Sequence, residues 1–143
     1  MAQLVISLAA ATKKWPLPNE KRTKFYLDKG SLSTKAPAGV DQKDETTIAY
    51  DVTPANMTTK GLVYATAPLS ADVQVTGHPT INLWASSTAT DGDFIATIQD
   101  VAPDGTATSY NVNGRIRASL RKLQKAPYNN LGLPWHGFYE ADV

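Results

Sequence analysis

Few side chains in this chain have the type and spacing that chemistry requires. His78 and His136 are the only histidines among 143 residues, and each adjoins a proline or a tryptophan. A catalytic imidazole needs a nucleophile and an orienting carboxylate within hydrogen-bond reach. No serine stands in the Gly-x-Ser-x-Gly elbow that presents a hydrolase nucleophile. No catalytic residue is assigned, and both histidines are expected to be hydrogen-bonded turn residues. Cysteine is absent, which removes disulfides, thiolate metal sites and a cysteine nucleophile.

Asp91-Gly92-Asp93 sets two carboxylates two residues apart, as calcium loops do, but no distal glutamate completes the loop pattern. Asp91 and Asp93 are the metal candidates. The competing reading, favoured here, has them capping backbone N–H groups in a turn, the commoner use of such residues. Neither a metal nor any other cofactor is expected. Trp15, Trp84, Tyr128, Trp135, Phe138 and Tyr139 are the aromatics able to stack on a ligand or fill an interface, with packing the default. Within Pro134-Trp135-His136-Gly137-Phe138-Tyr139, turn residues surround an aromatic cluster, so Trp135, His136 and Tyr139 are the ligand-binding candidates.

Arg115, Arg117 and Arg121 share a face if their strand is regular, and Lys122 and Lys125 follow them. The stripe reads as a solvated face or a docking surface. With a formal net charge of only +1, the chain lacks the electrostatic footprint of a nucleic-acid or anionic-membrane binder. The apolar run from Leu4 to Ala11 is too short to span a bilayer and lacks the basic flank of a secretory signal, so it is expected to be a strand. The compartment is left open, with the cytoplasm as the default.

The elements that must position these residues are strands. β-Branched and aromatic residues recur in short runs separated by Gly, Pro, Asn and Asp, the pattern of an all-β sandwich. Strands are expected at 24–28, ended by Lys29-Gly30, and at 46–52, 62–66, 73–77, 80–86, 94–101 and 115–121. Thr80 to Ser86 alternates, with Ile81 and Leu83 on one face and Trp84 on the other, so both faces are expected to be covered. Turns are expected at Pro103-Asp104-Gly105 and across Asn111 to Gly114. Residues 31–45 read as a long loop, and Asn56-Met57-Thr58 fits the glycosylation acceptor pattern. The length suits one domain spanning 1–143.

One ordered series is more specific. Ala67-Pro68-Leu69-Ser70-Ala71-Asp72 leads through Gly77-His78-Pro79 to Asp91-Gly92-Asp93-Phe94 and Pro103-Asp104-Gly105. Gly114-Arg115-Ile116-Arg117-Ala118 and Tyr128-Asn129-Asn130-Leu131-Gly132-Leu133-Pro134-Trp135-His136 follow. The series resembles the C-terminal β-domain of the X-Pro dipeptidyl-peptidase and cocaine-esterase-like hydrolases. The resemblance implies a jelly-roll β-sandwich of galactose-binding-like form. It also implies a Ser-Asp-His triad held by a separate α/β-hydrolase domain rather than by this chain. The expected function is therefore that of a non-catalytic accessory or binding module. The alternative is a subunit or fragment of an active ester or X-Pro amide hydrolase whose triad lies on another chain.

Against the family pattern, the chain ends before the last strands, so the resemblance implies a C-terminally truncated sandwich with an open edge. Such an edge favours pairing with another chain. The expected partner is a second copy, giving a homo-oligomer that meets along 4–8 or 131–143, or a separate α/β-hydrolase chain. Nucleic acid and membrane are not expected partners.

Overall fold

The computed structural model describes residues 4–5, 13–39, 44 and 61–142. The chain is all-β: the described residues hold the strands β1 (Leu4–Val5), β2 (Tyr26–Asp28), β3 (Ser31–Ser33), β4 (Val73–Gln74), β5 (Asp93–Val101) and β6 (Ala107–Arg117), with 3₁₀ turns at Ala118–Leu120 and Glu140–Asp142. β1 pairs with β4. The chain divides into two units, one dominated by residues 9–73 and the other by 74–143, the latter including 4–8. The alternating run at 46–52 and the acceptor pattern at 56–58 lie outside the described residues.

In the first unit, β2 and β3 form an antiparallel hairpin with Tyr26 opposite Ser33 and Asp28 opposite Ser31. Its two-residue turn places Lys29 at φ 46° and Gly30 at φ 80°. Two successive positive φ values match the twist of the flanking strands, and glycine meets the second without steric cost. The loop expected at 31–45 therefore begins as a strand. The strand expected at 62–66 is reduced to one parallel bridge, Ser31 to Ala65. That bridge is held by Leu32 N–H to Ala65 O at 2.8 Å and Ala65 N–H to Gly30 O at 2.9 Å. The Asp44 carboxylate accepts from Lys29 N–H at 3.1 Å. Burial, reinforced by a hydrogen bond and the negative charge of the same carboxylate, pushes the Tyr64 hydroxyl up to about 12.

The second unit is built on the β5–β6 hairpin. Asp93 faces Arg117, Phe94 faces Ile116 and Val101 faces Ala107. The expected turn closes it: Gly105 sits at φ 85°, Ala102 N–H donates to Thr106 O at 2.9 Å, and Asp104 Oδ1 accepts from Thr106 N–H at 2.9 Å. The hydrogen bonds from Thr106, its backbone N–H first, hold the Asp104 carboxyl below its ordinary range.

The turn expected across Asn111 to Gly114 lies instead inside β6. Thr97 faces Asn113 and Gln99 faces Ser109, so Ile98 stands opposite Tyr110, Asn111 and Val112 together. Asn111 absorbs this bulge at φ 58°, a conformation asparagine tolerates better than most residues. The turn signal was real, but the flanking residues continue the ladder.

Two further expectations differ from the structure. Residues 115–121 do not form one strand, because β6 ends at Arg117 and Ala118–Leu120 turns as a 3₁₀ helix. Arg121 consequently leaves the face shared by Arg115 and Arg117. Residues 80–86 carry no strand, and their alternation covers nothing: Ile81 and Leu83 are about half exposed and Trp84 is 103% exposed. Among the described residues no apolar side chain is fully buried.

Candidate functional site

Two places in the second unit bring sequence-predicted residues together. The first is the start of β5. Asp91 Oδ1 accepts from Gly92 N–H at 2.8 Å and from Ser119 N–H at 3.0 Å. Its Oδ2 accepts from Ser119 Oγ–H at 2.8 Å. Ala118 N–H donates to Gly92 O at 2.8 Å. The carboxylate therefore ties the entry of β5 to the exit of β6. Those hydrogen bonds, Gly92 first, hold its carboxyl below the usual value of 3.8, with the nearby Arg117 charge adding to them.

Asp93 is engaged differently: its Oδ1 receives Arg117 Nε–H at 3.0 Å across the strand pair. Asp91 thus caps the turn as expected, whereas Asp93 differs from the expectation: its partner is the Arg117 guanidinium across the strand pair and not a turn N–H. Among the described residues no group of three or more His, Cys, Asp or Glu side chains is gathered to hold a metal ion. Chelation should leave the melting temperature of the chain unchanged. A calcium-dependent rise of several degrees, abolished in Asp93→Ala, would show instead that the pair binds the ion in the native state.

The second place is a hollow of about 400 Å³. Gln124 N–H donates to Trp135 O at 2.9 Å, and the His136 ring, through Nδ1–H, donates to Lys122 O at 3.2 Å. These two bonds lay segment 134–136 alongside 122–124. Opposite, Leu131 and Gly132 take φ 58° and 75°, and Leu133 N–H closes the turn on Asn130 O at 3.1 Å. The side chains lock the same turn: Asn129 Oδ1 accepts from Leu131 N–H at 3.2 Å, and Asn130 Nδ2 donates to Leu133 O.

Of the three predicted ligand-binding residues, only Trp135 lines this hollow. His136 points to a backbone carbonyl and lies tilted against Phe138, with ring centres 6.1 Å apart. Tyr139 stands beside Gly137, where an added Cβ would meet its ring and the Gln124 amide. The aromatic partner of Trp135 is Tyr128, edge to face at 5.2 Å and 79°. His78, distant in sequence, completes the lining with the two asparagines. Asn129-Asn130 before Leu131-Gly132 was the available signal, since paired asparagines next to a glycine mark a turn whose amides face inward on it.

The model of the X-Pro dipeptidyl-peptidase C-terminal non-catalytic domain matches residues 8–139. A putative serine esterase of Mycobacterium bovis is 36% identical over 86 residues, covering 59% of this chain and 13% of that protein. A putative serine esterase of Mycobacterium tuberculosis matches to the same extent. The cocaine esterase of Rhodococcus sp. is 30% identical over 146 residues, covering 79% of this chain and 25% of that protein. The chain thus spans a quarter or less of the length of these curated relatives. No solved structure matches it. With the family model covering nearly its whole length, the chain belongs to the X-Pro dipeptidyl-peptidase C-terminal non-catalytic domain family.

Proposed function

We propose that this chain is an accessory β-module that packs against an α/β-hydrolase domain carrying the catalytic triad, and has no hydrolytic activity of its own. The observation that carries the reading is the exposure of large apolar side chains in a family defined as a non-catalytic part of a hydrolase. Trp84 is wholly exposed, with Ile81 and Leu83 beside it in the second unit. Burying one tryptophan removes about 150–250 Å² from water, a gross gain of about 4–6 kcal/mol before ordering costs. Side chains of this kind normally sit in a core or an interface. Among the described residues no helix is long and apolar enough to cross a membrane, so lipid-spanning helices do not account for them.

A chimera tests the proposal. The quarter of the Rhodococcus cocaine esterase that this chain matches is replaced by this chain, and the product is compared with the truncated esterase. The tether holds the two parts at an effective concentration of about millimolar, so even a modest interface will register. The expected result is a chimera that melts higher and keeps esterase activity longer than the truncated protein, while the isolated chain turns over neither p-nitrophenyl esters nor X-Pro chromogenic amides. A chimera no more stable than the truncated esterase, or turnover that co-elutes with the isolated chain, overturns it. Pairing of two copies is the competing way to cover the same side chains, and light scattering of the isolated chain separates the two.

A further inference from the structure

We propose that the hollow between Tyr128 and Trp135 binds an uncharged ring with one apolar face and hydrogen-bonding edges, the chemistry of a pyranose sugar. The inference does not rest on docking to a hydrolase domain, because the hollow lies within the second unit.

Charge narrows the ligand first. Among the described residues, no aspartate, glutamate, lysine or arginine lines the hollow. An ionic ligand would give up hydration there and meet only the His78 imidazole, with no permanent counter-charge beside it, which is unfavourable. Shape narrows it further. Two aromatic side chains meeting at 79° with centres 5.2 Å apart form a corner. A ring seated in it lays its C–H face on one π-surface, which carries partial negative charge, and its edge along the other. The volume of about 400 Å³ falls within the usual range for small-ligand sites.

The asparagines supply the polar part. Asn129 uses its Oδ1 on Leu131 N–H and Asn130 uses its Nδ2 on Leu133 O. Each amide is anchored by one end, which leaves Asn129 an N–H donor and Asn130 a carbonyl acceptor. A donor beside an acceptor matches hydroxyl groups, each of which both donates and accepts. A purely apolar ring would leave both groups without partners and lose that contribution. The turn that holds them keeps Leu131 at φ 58°, costly for a bulky residue and of the kind that persists where surrounding bonds impose it.

The hollow is open to solvent and Tyr128 is 58% exposed, so binding is weak, with a Kd on the order of 1 mM. The test is a titration of the full chain with the methyl pyranosides of glucose, galactose and mannose, following the Trp135 indole N–H resonance, assigned with Trp15→Phe and Trp84→Phe variants. At least one pyranoside should shift it to saturation, while cyclohexanol, prolinamide and acetate should not. Tyr128→Ala should weaken binding about tenfold, the loss expected for one aromatic contact, and Tyr128→Phe should retain it. No saturable shift with any pyranoside overturns the proposal. So does an equal response to cyclohexanol, which would mark the corner as merely apolar. The titration of the unaltered chain decides the matter even if Tyr128→Ala fails to fold.

Discussion

Trp84→Ala should leave the melting temperature of the isolated chain unchanged and lower that of the esterase chimera. In the chain alone the indole is 103% exposed, so its removal takes away no contact. In the docked state a tryptophan at the centre of an interface is a typical hot spot, worth at least about 2 kcal/mol on truncation, or roughly thirtyfold in the docking equilibrium. The two measurements must diverge. Equal melting temperatures for the chimera with and without Trp84 would place the docking surface elsewhere. A marked loss of stability in the isolated chain would mean that Trp84 is packed within the module. Leu123→Ala, at a residue 65% exposed and in a different segment, serves as a control for removing apolar surface in general.

Asp91→Ala should lower the melting temperature of the chain by about 3–5 °C, the shift expected from losing one strong cap in a domain of this size. Three donors converge on this carboxylate, and two belong to Ser119, twenty-eight residues away. Its loss therefore frees the junction between β5 and the end of β6 as well as a local turn. Because the folded-state pKa lies below the usual 3.8, the stabilisation is complete above that value. It is lost as pH falls from there through the folded-state pKa. The gap between the parent chain and Asp91→Asn should be constant near neutrality and close in acid. A gap that widened in acid would have the wrong sign for a depressed carboxylate and would rule out this role.

The sequence by itself determined the all-β class, because short β-branched runs between turn residues leave no helical period to compete. It determined the family, through motifs that keep their order over most of the chain. It also determined the local caps, Asp91 on Gly92 N–H and Asp104 on Thr106 N–H, since a short carboxylate beside glycine finds a donor nearby, whereas the Ser119 donors to Asp91 came with the fold. The β2–β3 and β5–β6 turns were legible for the same reason: Lys29-Gly30 and Asp104-Gly105 encode their own backbone angles.

What needed the tertiary structure was everything set by partners distant in the chain. Asn111 to Gly114 carries turn residues, yet opposite β5 it becomes a bulge, because the ladder on either side outweighs a local preference. Residues 80–86 have a strand's alternation, but alternation specifies a strand only where another strand pairs with it, and none does among the described residues. Tyr128 rather than Tyr139 became the partner of Trp135 because the left-handed turn at Leu131 and Gly132 folds 128–130 back on 133–135. A single reversal of the chain decides which aromatic rings meet: the paired asparagines and the glycine mark the turn, but residue type does not record which rings it brings together.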